Sequence, residues 1–187
     1  MITHEIYLRL EQCFGHAPTT EQESAMRVFT DFLVCRNPHS MMLMRGSAGT
    51  GKSSLAGAFV RAMALLGQKT VLMAPTGRAA KVFSLNSGGH AAFTIHRKIY
   101  RLRAFAGVGG EYNLNDNLHT DTLFMVDEAS MVANGGGVEA GFGSGRLLDD
   151  LVRYVYSGRN CRLVLIGDQA QLPPVGEELS PALDTQF

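Results

Sequence analysis

Gly46-Ser-Ala-Gly-Thr-Gly-Lys-Ser53 combines three glycines with a lysine and a closing serine. The G-x-x-x-x-G-K-S spacing lets the backbone curl until its N–H groups point inward, and a following helix adds partial positive charge from its amino end. Lys52 would then reach the outer phosphates of a nucleoside triphosphate, and the Ser53 hydroxyl would ligate Mg²⁺. The alternative is a chance glycine-rich turn. At a background glycine frequency of about 7%, that occurs on the order of one time in a hundred for such a chain. A second stretch, Val126-Asp-Glu-Ala-Ser130, closes an apolar run. Asp127 there can hold Mg²⁺ through water, and Glu128 can polarise an attacking water. Standing alone, an Asp-Glu pair would be a solvated turn. The third stretch is Gly167-Asp-Gln-Ala-Gln-Leu-Pro-Pro-Val175. A neutral amide in it can hydrogen-bond a γ-phosphate or the attacking water and so register whether ATP or ADP is bound; a proline-terminated turn is the other reading.

The elements that must position these residues follow an alternating pattern. Short continuous apolar runs at 41–44, 70–74, 123–126 and 162–166 suit strands covered on both faces of a parallel sheet. Helical stretches are predicted over 20–35, 52–66 and 146–156. In the first, Ala25, Val28, Phe29, Phe32 and Leu33 recur at helical spacing, and Thr20 with Glu23 forms a candidate capping box. This alternation predicts an α/β fold, a wound parallel sheet flanked by helices with its ligand site at the strands' carboxyl ends. Two segments break the rhythm. Residues 104–120 are rich in Gly and Asn and are predicted to form a hairpin or long excursion. Residues 133–145, with Gly135, Gly136, Gly137, Gly141, Gly143 and Gly145, read as a loop.

Composition narrows the function classes. The 187 residues are 45% hydrophobic, enough for one well-buried domain and too few for two of ordinary size. Seventeen basic residues balance seventeen acidic ones, so nucleic acid can be held only by a local patch. Cys13, Cys35 and Cys161 show no metal spacing and are odd in number, which fits a reducing compartment without disulfides. The charged start carries no secretory signal, and no apolar run approaches the roughly 20 residues that cross a bilayer. A cytoplasmic domain with no membrane partner is expected.

Taken together, the motifs resemble the first RecA-like lobe of a superfamily 1 DNA helicase, most of all the RecD-like branch. Six segments carry the likeness: Thr20-Glu-Gln22, the glycine-rich loop, Ala74-Pro-Thr-Gly-Arg-Ala-Ala-Lys81, Thr94-Ile-His96, Val126-Asp-Glu-Ala-Ser130 and the Gly167–Val175 stretch. The glycine-rich loop is shared by many NTPases; Ala74–Lys81 and Gly167–Val175 are far more specific. The resemblance implies a P-loop NTPase with ATP and Mg²⁺ as cofactors. Gly46, Ser47, Ala48, Gly49, Thr50, Gly51, Lys52, Ser53 and Ser54 would form the nucleotide loop, with Gln22 at the adenine edge. It also implies Ser53 and Asp127 at the metal, Glu128 as catalytic base, Lys52 in catalysis and Gln171, rather than Gln169, at the γ-phosphate. Pro75, Thr76, Gly77, Thr94 and His96 match segments that contact single-stranded DNA.

The strand-facing residues carry an independent argument too. Thr76-Gly77 ahead of a helix can offer a hydroxyl and free N–H groups to a phosphate oxygen. His96-Arg-Lys-Ile-Tyr-Arg-Leu-Arg103 holds four permanent cations with Tyr100 available for stacking. Against this, Arg97, Lys98, Arg101 and Arg103 could be an ordinary solvated helix face and His96 a structural histidine. The expected organisation is a helical segment with the glutamine motif over 1–38 and a P-loop core over 39–187. A second RecA-like lobe is absent from the chain and would act in cis beyond Phe187 or in trans. Since a trans arginine contributes about 10³–10⁵-fold in rate, the chain alone is expected to hydrolyse ATP slowly and to unwind nothing. Two other classes stay open: a non-motor ATP-binding switch or assembly subunit, and a small-molecule P-loop kinase. The resemblance further implies 5′-to-3′ movement and a place in DNA repair and recombination, like the alpha subunit of exodeoxyribonuclease V.

Overall fold

The computed structural model describes residues 2–103, 111–135 and 143–185. The predicted excursion over 104–120 and loop over 133–145 thus lie partly outside the described residues, at 104–110 and 136–142. Continuous apolar runs become strands β1 (Met41–Arg45), β2 (Lys69–Ala74), β6 (Thr122–Val126) and β7 (Arg162–Gly167). All lie in one five-stranded sheet of order β1-β7-β6-β2-β3, with β3 (Ala92–Thr94) at its far edge. Every pairing in it is parallel. Two-sided burial explains why the inner runs do not alternate. Val71, Met73, Phe124, Val126, Leu163 and Leu165 face one layer. Leu72, Leu123, Met125, Val164 and Ile166 face the other. β1 departs from the expectation: as an edge strand it leaves Met41 and Arg45 exposed.

The first layer of helices is α1 (Ile2–Phe14), α2 (Thr20–Val34), α3 (Lys52–Leu65) and α4 (Gly77–Asn86). Phe29 of α2 stacks on Phe59 of α3 with ring centroids 3.9 Å apart, joining the amino-terminal helices to the helix after the glycine loop. The second layer holds α5 (Ile95–Ile99), α6 (Leu147–Ser157) and the 3₁₀ turns Ala129–Met131 and Pro181–Leu183.

The structure corrects the start of α2. Its N-cap is Thr19, which accepts from the Gln22 N–H while the Gln22 side chain accepts from the Thr19 N–H. Both possible boxes have the same spacing. Glu23 is drawn away by Arg27 at 2.7 Å, its partner one turn on. Val28, expected inside, is 52% exposed, and Met26 fills that face instead. The segment 96–103 is not one helix face. Ile95 and Ile99, the first and last residues of α5, are buried, and after Ile99 β4 (Tyr100–Arg103) pairs antiparallel with β5 (Glu111–Leu114) as a hairpin.

Candidate functional site

Parallel pairing brings the carboxyl ends of all five strands to one edge, and β7 separates β1 from β6. The loop after β1, the acids after β6 and β7, and the turns after β2 and β3 therefore form one row. At the glycine loop, the Gly46 N–H donates to the Gly167 carbonyl at 3.3 Å, fastening β1's end to β7's. Gly49 and Gly51 take φ of 78° and 84°, the left-handed region that a side chain resists. At Gly51 a Cβ would also stand 2.7 Å from Gln22 Nε2. Residues 47–50 are exposed, Ser53 is half-buried in the first turn of α3 and Ser54 is exposed. Lys52 Nζ donates to the carbonyls of Gly46 at 2.5 Å and Ser47 at 2.7 Å, folding the ammonium over the loop's mouth.

Gln22 lies against the same loop. Its Nε2 donates to the Thr50 carbonyl at 3.0 Å while Oε1 holds the α2 cap, so both ends of the amide are engaged by the protein. On the other side of Lys52 stands a residue the sequence reasoning left without a role. Asp168 is buried, with Oδ2 3.7 Å from Lys52 Nζ and Oδ1 accepting from the Ala170 N–H at 2.8 Å. Its signal was present, an acid directly after a continuous apolar strand, the same arrangement as Asp127.

Asp127 is buried at the end of β6, its N–H donating to the Met73 carbonyl at 3.0 Å. Burial holds its carboxyl above the usual aspartate value. The Glu128 N–H, donating to Oδ1 at 3.0 Å, opposes that rise; the neighbouring Glu128 charge adds to it and the Lys52 ammonium reduces it. Glu128 itself is half-buried with φ 55° and ψ 37°, a left-handed conformation at a bulky acidic residue. Such strain costs on the order of 1–3 kcal/mol and persists only where neighbours impose it. Gln171 reaches back to this turn: its Oε1 accepts from Ser130 Oγ at 2.9 Å. Gln169 points elsewhere, donating to the Leu183 carbonyl at 3.2 Å. Among the described residues no three His, Cys, Asp or Glu side chains cluster as a metal cage. One hydroxyl and one carboxylate suit Mg²⁺, which keeps most of its shell as water and substrate phosphate.

The pairing Ala74↔Thr94 sets Pro75-Thr76-Gly77 beside Thr94-Ile95-His96. Both threonines are helix N-caps: Thr76 Oγ1 accepts from the Ala79 N–H and Thr94 Oγ1 from the Arg97 N–H, each at 3.2 Å. A cleft of about 350 Å³ beside them is lined by Gly77, Lys81, Phe93, Thr94 and Arg97 among others. The cations do not form one stripe. Lys98 and Arg97 lie 5.4 and 5.9 Å from the Phe93 ring centre, and Arg101 pairs with Asp116 at 3.3 Å. Burial pushes the Lys98 ammonium below its usual value. His96 is half-buried, its ring 5.7 Å from that of Tyr100. Tyr100 is not available for stacking: it is buried, and its hydroxyl donates to Asp150 Oδ2 at 2.8 Å.

Described cysteines 13, 35 and 161 are all free, and among the described residues no helix is long and apolar enough to cross a membrane. A wound parallel sheet with a glycine-curled, lysine-bearing loop at the carboxyl edge defines the class, a RecA-like P-loop NTPase fold. The chain belongs to the AAA domain family, whose sequence profile matches residues 18–180. It is 33% identical over 137 residues to the ATP-dependent RecD2 DNA helicase of Deinococcus radiodurans, covering 73% of this chain and 16% of that protein. It is 30% identical over 196 residues to the ATP-dependent DNA helicase PIF7 of Trypanosoma brucei brucei, covering 95% of this chain and 17% of that one. The fold matches a crystal structure of Bacteroides Pif1 bound to ssDNA with a TM-score of 0.50 and 20% identity, over 87% of this chain and 34% of that one. The chain thus shares ancestry with superfamily 1 DNA helicases and spans about a sixth of the length of the two curated relatives.

Proposed function

We propose that this chain is the ATP-binding lobe of a RecD-like, cytoplasmic DNA helicase or translocase that couples Mg-ATP hydrolysis to 5′-to-3′ movement on single-stranded DNA. The observation that carries the reading is the row at the sheet's carboxyl edge: Lys52, Asp127 and Asp168 together, with the 75–77 and 94–96 turns continuing it. Residues 46–54 receive the triphosphate, with Gln22 at the base. Lys52 exchanges its two loop carbonyls for phosphate oxygens. Ser53 and Asp127 would hold Mg²⁺, which when bound neutralises charge on the β- and γ-phosphate oxygens. Glu128 takes a proton from the attacking water, and Gln171 orients that water or the γ-phosphate.

Pro75, Thr76, Gly77, Thr94 and His96 face the single strand. An N-capping hydroxyl accepts from the backbone and keeps its own O–H to donate to a phosphate oxygen. Because the same sheet edge carries both rows, a shift at the nucleotide can reach the strand contacts through β2 and β6. A second RecA-like lobe supplies the arginines that complete the nucleotide site. The test is ATPase of the intact protein with and without single-stranded DNA, followed by strand displacement on 5′- and 3′-tailed duplexes. Stimulation by DNA and displacement from the 5′ tail are expected. ATP binding without DNA stimulation would identify a switch instead, and phosphate transfer to a small acceptor a kinase.

A further inference from the structure

After β7 the chain runs across the carboxyl edge of the sheet as a strap over residues 168–183. Its far end is anchored where the Leu183 carbonyl accepts from Arg45 at 3.3 Å and from Gln169 at 3.2 Å. Between the anchors it grips the segment after Glu128 at two points. One is the Ser130–Gln171 hydrogen bond at 2.9 Å. The other is Glu177, whose Oε1 accepts from the consecutive N–H groups of Asn134 at 2.6 Å and Gly135 at 2.5 Å. Hydrogen bonds to an ionised carboxylate are about twice as strong as neutral ones, and here two converge on one oxygen.

The gripped segment is further held on its other side. Asn134 and Asp149 exchange hydrogen bonds, Asn134 Nδ2 donating to Oδ1 at 3.2 Å and the Asp149 N–H donating to Asn134 Oδ1 at 3.1 Å. Residues 128–135 therefore lie clasped between the strap and the first turn of α6. Glu128 begins this segment in its left-handed conformation and has no side-chain capping bond of its own. Its N–H donates to Asp127 Oδ1 at 3.0 Å and its carbonyl accepts from the Met131 N–H at 3.1 Å, which closes the turn locally, and the clasp on Asn134 and Gly135 fixes the turn's downstream end.

We propose that Glu177 is a positioning residue for hydrolysis: by fixing the Asn134 and Gly135 amides it holds the 128–135 turn, and with it Glu128 and Gln171, in working register. This rests on the hydrolytic role given to those two residues above. A displacement of about 1 Å at a reacting group costs on the order of a hundredfold in rate.

The experiment is steady-state ATPase of the intact protein as wild type, E177A, E177Q and E128Q, with active-site titration and a melting curve for each. E177A is expected to lower kcat per active site by about tenfold or more, with KM for ATP unchanged. E177Q keeps an amide oxygen able to accept both N–H bonds and is expected to recover most of the rate. A purely structural carboxylate would lower Tm and the active fraction while leaving kcat per active site intact, and that result overturns the proposal. So does an E177Q as impaired as E177A. If E128Q is inactive while E177A matches wild type, the positioning role alone fails; if E128Q turns over normally, the hydrolytic reading itself fails.

Discussion

Asp168 Oδ2 lies 3.7 Å from Lys52 Nζ, so the ammonium of the glycine loop is flanked by its own loop's carbonyls on one side and a buried carboxylate on the other. The arrangement follows from strand order. With β7 next to β1, the first residue after β7 comes out beside the loop. The two carbonyls and the Asp168 carboxylate hold the Lys52 ammonium over the loop, and in the proposed function it would exchange the carbonyls for phosphate oxygens.

Lys52→Ala removes that ammonium. Nucleotide affinity is expected to fall by at least about tenfold, since charge-assisted contacts contribute roughly 1.5–3 kcal/mol each. The fold should survive, because Asp168 keeps the Ala170 N–H as partner. Titration with a fluorescent ATP analogue, together with a melting curve, measures both; unchanged affinity would remove Lys52 from the site.

Glu128→Gln keeps the size and backbone of the residue and removes its basicity. Binding of Mg-ATP should be retained while turnover drops by about 10²–10⁴-fold, the usual contribution of a positioned general base. Rapid-quench hydrolysis and equilibrium binding on the intact protein separate these two effects. A variant that hydrolyses at the wild-type rate would show that another group takes the proton.

How far these residues could be read from the chain depends on what kind of contact places them. β6 and β7 were legible because strands buried on both faces must be apolar throughout, and the glycine loop because its curl demands glycine at set positions. The choice of Thr19 over Thr20 as cap was not, since it turns on Arg27 claiming Glu23 through a side-chain pair. β3 is three residues long and carries no periodicity to detect. Tyr100 looked like a free ring among cations, and only the fold reveals Asp150, fifty positions on, as the acceptor that draws it inside. The place of Asp168 after an apolar strand was legible, but Lys52 beside it and the amides that meet Glu177 are brought near by strand order and by the strap, neither of which local sequence encodes.

Asp127 links pH to stability. Burial raises its folded carboxyl above the unfolded value, so the folded state binds the proton more tightly. Its stabilising effect is then present below the ordinary aspartate range and is lost as pH rises through the raised folded value. Above that, an ionised and buried carboxylate destabilises the nucleotide-free protein. Asp127→Asn keeps an oxygen to accept from the Glu128 N–H and removes the charge. The nucleotide-free variant is expected to melt higher than wild type at neutral pH, with the gap closing as pH falls into the aspartate range. Thermal melts over a pH series without Mg²⁺ check this, and a gap that is constant with pH would assign the effect to packing.

Tyr100→Phe separates the buried role of this ring from a role in strand binding. The substitution deletes one hydrogen bond to Asp150 Oδ2, which keeps the Ser144 N–H at 2.8 Å. The cost should be about 1 kcal/mol, the net value of a typical buried hydrogen bond, seen as a lower Tm. Because the ring is buried, affinity for single-stranded oligonucleotides should not change. Arg97→Ala, at the mouth of the Phe93 cleft, should instead weaken that affinity and flatten its dependence on salt, as expected for loss of one phosphate contact. Fluorescence anisotropy of a labelled single strand across a salt series distinguishes the two variants. If Y100F weakens binding as much as R97A, the ring reaches the strand after all.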